Sequence, residues 1–191
     1  DKIFDYMDEV IKKIPPGSDH LICTPWMLGE RCPVSSTTTR ATLFNISMVH
    51  TREHLMRAVY EGIGYNLRWI LENYSRDYGF SCDDFRIIGG GALDDAWMQI
   101  IADITGKRFS VVKDPRNAGA VGAAIVALIG LGELPGFGSA KDFVQVEKHY
   151  EPDPVNRKIY NDLFDDYKNV YYALEGAYIK ANGDRFKGEE Q

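Results

Sequence analysis

No cysteine in this sequence has an evident partner. Cys23, Cys32 and Cys82 are odd in number and lack C-x-x-C spacing, which fits reduced thiols and argues against a disulfide framework. Apolar runs are short, and none reaches the roughly 20 residues that span a bilayer. No signal peptide opens the chain, which starts Asp1-Lys2-Ile3-Phe4-Asp5 inside an amphipathic pattern. That start reads as a piece cut from a longer, cytoplasmic protein. Positive charge is not in excess: the net charge of −6 argues against non-specific binding to nucleic acid or anionic membrane. There is no G-x-S-x-G, and the hydroxyl run Ser35 to Thr39 has no histidine close in sequence, so a solvated loop is the better reading than a hydrolase nucleophile. His20, His50, His54 and His149 show no ligand spacing with cysteines or carboxylates, and the H-E-x-x-H context of a zinc site is missing. No glycine loop ends in Lys-Ser or Lys-Thr, which removes the P-loop. Internal repeats and low-complexity tracts are also lacking.

The 191 residues suit one domain, or one domain plus an appendage. Hydrophobic residues at 45% and charged residues at 26% are the balance of a globular chain with a sizeable core. Residues 3–14 carry apolar side chains at helical spacing and end at Pro15-Pro16-Gly17. His20 to Cys23 reads as a short buried strand, and Thr24 to Arg40 as a long polar loop of the kind that is often functional. Ala41 to Ile46 reads as a strand or extended segment. Thr51 is the expected N-cap of a long helix with a stripe of Leu55, Val59, Ile63, Leu67, Ile70, Leu71 and Tyr74, closed by Gly79. Gly62 and Gly64 weaken that helix, so close approach of another backbone is expected there. Strands at Phe85 to Ile88 and Arg108 to Val112 alternate with helices at Asp94 to Thr105 and Asn117 to Leu131, which implies parallel pairing. The small residues of the last helix suit close packing on a sheet. Gly130 to Gly138 marks a boundary, Val155 to Ile179 a C-terminal helix, and Gly183 to Gln191 a frayed polar tail.

The stretch Arg86-Ile87-Ile88-Gly89-Gly90-Gly91-Ala92-Leu93-Asp94-Asp95-Ala96-Trp97 concentrates the chemical signal. A strand meets three glycines and a helix begins at once. Glycine has no Cβ to hold a ligand off the backbone, and amides at a helix start lack partners and carry partial positive charge. A nucleotide suits such a turn; the bland alternative is a turn that only packs a helix onto a sheet. As a dinucleotide site the fit is incomplete. Asp114 lies near the end of the next strand, where a ribose-binding acid belongs, but the third glycine of G-x-G-x-x-G falls at Asp94. A carboxylate there repels a pyrophosphate and can accept from an adenine amino group or a ribose hydroxyl.

Four ordered segments carry a family resemblance. Ala41-Thr42-Leu43-Phe44-Asn45-Ile46, followed after seven residues by His54-Leu55-Met56-Arg57-Ala58-Val59-Tyr60-Glu61, resembles the C-terminal signature of the FGGY carbohydrate kinases, departing at Asn45 where the pattern has glycine. Leu28-Gly29-Glu30-Arg31-Cys32-Pro33 resembles the loop ahead of that signature. Gly89-Gly90-Gly91-Ala92 with Trp97 to Gly106 resembles the adenosine motif, and Asn117 to Ala124 the second connecting helix. The flavour is xylulokinase-like.

The resemblance implies an α/β, ribonuclease-H-like or actin-like ATPase domain with a mixed sheet flanked by helices. Residues 1–138 would be part of the C-terminal nucleotide-binding domain and residues 139–191 a helical extension packed on it. It implies ATP or ADP with Mg²⁺ in the full enzyme, and a small sugar, a pentulose such as xylulose, held mainly by an absent N-terminal domain. Nucleic acid and membrane are not expected partners; a truncated sheet edge would invite a homodimer. No catalytic residue is expected in this chain, because the family's base lies upstream. Gly90, Gly91 and Ala92 would form the adenosine wall with Asp94 as polar partner, while Gly89 shapes the turn and Trp97 packs or lines. Glu30 and Arg31 would pair and order their loop, and Glu61 would be a paired structural carboxylate. A non-catalytic module derived from a kinase, and a Rossmann-type NAD domain, remain the alternatives.

Overall fold

The computed structural model describes residues 2–183. Among the described residues, six α-helices and five strands follow in the order α1 (Lys2–Ile11), β1 (Ile22–Thr24), β2 (Thr42–Phe44), α2 (Arg52–Tyr78), β3 (Asp84–Ile87), α3 (Asp95–Thr105), β4 (Arg108–Val112), α4 (Ala118–Gly130), α5 (Ala140–Phe143), β5 (Val146–Tyr150) and α6 (Pro154–Asn182). β1 and β2 form a small antiparallel pair. β3, β4 and β5 form a separate mixed sheet, parallel between β3 and β4 and antiparallel between β4 and β5. All but the first residue of the expected polar tail, Gly183, lie outside the described residues.

Local chemistry sets most boundaries. Thr51 and His54 form a capping box at the start of α2, and Gly79 ends it with a left-handed φ of 64°. Gly106 closes α3 in the same way, at φ 65°. Asp153 caps α6 through the Val155 and Asn156 amides, with Pro154 in the first turn. Asn45, which departs from the glycine of the resembled pattern, has φ 70°. Asparagine tolerates that region better than other side chains, and its Nδ2 donates to the His20 carbonyl at 3.1 Å.

The main core lies between α2, α3 and α6, where Trp26, Tyr65, Trp69, Tyr160, Tyr167 and Tyr171 pack with Ile11, Ile104 and Phe164. Trp26 meets Tyr167 and Tyr171 at ring-centroid distances of 5.7 and 5.4 Å. The buried face of α2 differs from the expected stripe. Arg57, Glu61, Tyr65 and Trp69 are buried, whereas Ile63 and Tyr74 are exposed. Arg57 can turn inward because Glu61 meets it at 2.7 Å and Tyr160 at 2.9 Å. Gly62 supplies the expected close approach: a Cβ there would lie 2.2 Å from the Cys23 carbonyl oxygen, so α2 rests on β1. At Gly64 the neighbour is the Ile104 side chain, not backbone.

Two other expectations change. Helix α4 does not pack on the sheet. Only Ile125 is buried, and a Cβ at Gly119, Gly122 or Gly130 would meet nothing within 4 Å. The chain leaves α4 through α5 and returns as β5 antiparallel to β4, so no parallel crossover lays α4 across the sheet. That strand, inside the segment expected to be helical, was not anticipated: its Glu147, Lys148 and His149 are exposed and show little apolar alternation.

Candidate functional site

The glycine turn is built from both sides. Gly89 adopts φ 102° and its amide donates to the Pro115 carbonyl at 2.8 Å, joining the turn to the loop after β4. Residues Gly90–Leu93 form a single 3-10 turn rather than the start of the helix, and α3 begins only at Asp95. Beside this turn opens a cavity of about 730 Å³, lined by Gly90, Gly91, Asp94 and Trp97 from this motif, Tyr60 from α2 and Asp8 from α1. Glu9, Leu93, Asp95 and Arg116 complete the wall. Its volume lies within the range of small-molecule sites.

The four expected site residues do not share one role. Gly90 and Gly91 face the cavity and are exposed. A Cβ on Gly91 would stand 2.4 Å from the Trp97 ring, so that ring calls for glycine there. Ala92 is 3% exposed and packs with Met98, Ile101 and Phe109 behind the wall; it supports the turn from the core side and cannot be a wall residue. Asp94 lines the cavity and also caps α3, its Oδ1 accepting from the Trp97 amide at 2.9 Å. Its Oδ2 is buried within the protein, and Asp94 interacts with Tyr60 and Asp8.

Carboxylates dominate the electrostatics. Asp8 Oδ1 accepts from the Ala96 amide at 2.9 Å, and Lys12 pairs with its other oxygen. Burial pulls Asp8 upward, but Lys12 and the Ala96 amide outweigh it and leave its pKa below the ordinary carboxylate value. Asp94 moves the other way: burial and the neighbouring Asp8 raise it, against the pull of the Trp97 amide. Asp95 is held low by Lys148 and Tyr150, which donate to it at 2.7 and 2.6 Å. The Tyr60 hydroxyl is pushed up to about 12 by burial and then by the Asp94 charge. Tyr60 and Trp97 meet edge to face with centroids 5.2 Å apart. The wall therefore offers acceptors, an aromatic corner and one cation, Arg116.

Asp8, Tyr60 and Arg116 were not singled out from sequence. Tyr60 lies inside the quoted signature, but nothing local marks Asp8, whose role needs α1 and α3 side by side. Asp114 is not among the residues that line this cavity; it sits at φ 54° and accepts from Asn117 at 2.7 Å. Glu30 does not pair with Arg31 through its guanidinium. It takes the Arg31 and Cys32 amides at 2.7 and 3.2 Å, and the loop closes by paired Glu30–Ser36 backbone bonds of 2.8 Å. Glu61 is a structural carboxylate that accepts from the Gly17 amide, Ser18, Arg57 and Tyr160.

A three-stranded mixed sheet flanked by helices, with an acceptor-rich cavity at a glycine turn, is the architecture of part of an actin-like fold. Residues 7–131 match the FGGY family of carbohydrate kinases, C-terminal domain, and the chain belongs to that family. It is 35% identical over 170 residues to the xylulose kinase of Bacillus subtilis (strain 168), covering 88% of this chain and 34% of that protein. It is 28% identical over 177 residues to the gluconokinase of Bacillus licheniformis, covering 93% of this chain and 34% of that one. The crystal structure of ligand-bound xylulose kinase from Lactobacillus acidophilus superposes with a TM-score of 0.81 at 28% identity, covering 91% of this chain and 35% of that one. The chain thus spans about a third of the length of these relatives. The Rossmann-type alternative has no support in this family or in the sheet, which is three-stranded and mixed.

Proposed function

We propose that this chain is the nucleotide-binding C-terminal part of an ATP-dependent carbohydrate kinase acting on a pentulose such as xylulose in the cytoplasm. The observation that carries the reading is the cavity at Gly90, Gly91 and Asp94 in a chain of the FGGY family. The residues present fit the nucleoside end of ATP or ADP. Bare backbone at Gly90, where a Cβ would meet nothing within 4 Å, leaves room for a flat ring, and Trp97 and Tyr60 supply an aromatic corner. They do not fit the polyphosphate or its Mg²⁺: four acidic side chains line the wall against one arginine, and like charge repels the phosphates.

In this reading the phosphates and Mg²⁺ are held by parts of the enzyme outside this chain, as are the sugar and the base that takes its hydroxyl proton. When bound, ATP supplies the transferred phosphoryl group, and such transfer depends on positioning and charge stabilisation. This chain's share is to hold the nucleoside still. Isothermal titration of the 191-residue chain tests the binding: ADP is expected to bind weakly, and NAD less well. A folded chain that binds no ADP, or that prefers NAD, refutes the assignment. The isolated chain is expected not to phosphorylate xylulose, and robust turnover would place the base within it. Sedimentation would show whether the chain forms a homodimer.

A further inference from the structure

Beside this cavity, first-turn amides of α3 are taken by the chain's own carboxylates. The Ala96 amide donates to Asp8 at 2.9 Å and the Trp97 amide to Asp94 at 2.9 Å. These are amides of the first turn, which carry the positive end of the helix dipole and attract phosphate when free. Asp94 is a local cap and belongs to α3's own sequence. Asp8 is different: it lines the cavity from α1, 88 residues before Ala96, whose amide it takes.

We propose that Asp8 is the specificity-determining residue of this cavity, an intramolecular stand-in for a phosphate that admits the uncharged nucleoside and excludes the charged end of the nucleotide. The identity of the ligand rests on the nucleotide reading above; the exclusion of anions does not. Lys12 pairs with Asp8 from the same helix and holds it in place. The other charged groups at the rim reinforce the exclusion: Glu9, Asp94 and Asp95 line the wall, and Lys148 is engaged with Asp95. Arg116 is the single cation of the lining. A glycine turn beside a helix start would ordinarily favour phosphate. Asp8 reverses that preference without touching the turn.

The test titrates pyrophosphate and adenosine separately into the wild-type chain and into Asp8→Asn and Asp8→Ala. Asp8→Asn keeps an acceptor for the Ala96 amide while shedding the charge, and circular dichroism checks that each variant is folded. Wild type is expected to bind adenosine, and pyrophosphate distinctly more weakly. Both variants are expected to gain pyrophosphate affinity by about fivefold or more, the factor that corresponds to roughly 1 kcal/mol for a charge at a helix terminus. If Asp8→Ala fails to fold, Asp8→Asn carries the comparison alone. Wild type that binds pyrophosphate as tightly as adenosine, or a folded Asp8→Asn that gains nothing, overturns the proposal. Loss of adenosine binding in every chain, with the pyrophosphate pattern as expected, would refute the nucleotide reading and leave the role of Asp8 in excluding anions supported.

Discussion

Replacing Glu61 by glutamine keeps the side chain's shape and removes its charge. Glu61 is 1% exposed. Its Oε1 accepts from the Gly17 amide at 2.9 Å, Arg57 Nε at 2.7 Å and the Tyr160 hydroxyl at 2.8 Å, and its Oε2 from Ser18 Oγ at 2.8 Å. A glutamine can keep its carbonyl at the Oε1 position and place its amide toward Ser18, whose hydroxyl reverses to accept. Hydrogen bonds are therefore largely retained, and the loss is electrostatic. The Arg57 guanidinium stays buried, still bonded to the Ile11 carbonyl at 2.8 Å and to Tyr160 at 2.9 Å, but has no counter-ion. Breaking a buried pair from one side costs about 3–5 kcal/mol. Glu61→Gln should fall at the low end and Glu61→Ala, which also orphans the donors, at the high end. For a chain of this size each kcal/mol moves Tm by about 2–4 °C, so Glu61→Gln should lower Tm by roughly 6–12 °C. Urea unfolding followed by tryptophan fluorescence would measure the loss, alongside Arg57→Met, Glu61→Leu and the double variant Arg57→Met/Glu61→Leu, which close a cycle. The double variant should cost less than the two single changes summed, because it leaves no lone charge. A loss below about 0.5 kcal/mol for Glu61→Gln, the scale of an ordinary surface change, or strict additivity in the cycle, would show that the pair does not hold the Gly17–Ser18 corner to α2 and α6.

Gly62→Ala should destabilise by about 1–3 kcal/mol through overpacking, because the new Cβ would meet the Cys23 carbonyl at 2.2 Å; a gain of about 1 kcal/mol, normal for Gly→Ala in an open helix, would contradict that contact. Asn45→Ala should cost about 1–2 kcal/mol from the left-handed φ of 70°, and Asn45→Gly distinctly less, both read by denaturant midpoints; equal losses would place the cost in the bond to His20. Asp94→Asn addresses pH. Burial, then Asp8, holds Asp94 above its ordinary 3.8. The folded chain thus binds more protons than the unfolded one just above that value, and stability falls as pH rises through the interval. Relative to wild type, Asp94→Asn should gain stability between pH 3 and pH 7; a pH-independent difference would argue that Asp94 titrates normally.

Elements whose ends are written in adjacent residues were legible in the sequence. Thr51 and Gly79 bracket α2, Gly106 stops α3, and the ordered motifs from Leu28 to Ala124 identify the family. Caps and turns depend on backbone groups within a few residues, so their chemistry can be read along the chain. The candidate site was legible only in part, at Gly90, Gly91 and Asp94.

What tertiary structure alone decided is non-local. Ala92 stands beside Gly91 in sequence yet turns into the core, because α3 and β4 close over it. Arg57 and Glu61 lie on a helix where polar residues predict an outward face, and they face inward because Tyr160, Gly17 and Ser18 receive them. Asp8 becomes part of the cavity only where α1 meets the start of α3. In each case the deciding partner is more than ten residues away or on another element. The cost of burying a charge or exposing an apolar surface is set by what that partner supplies.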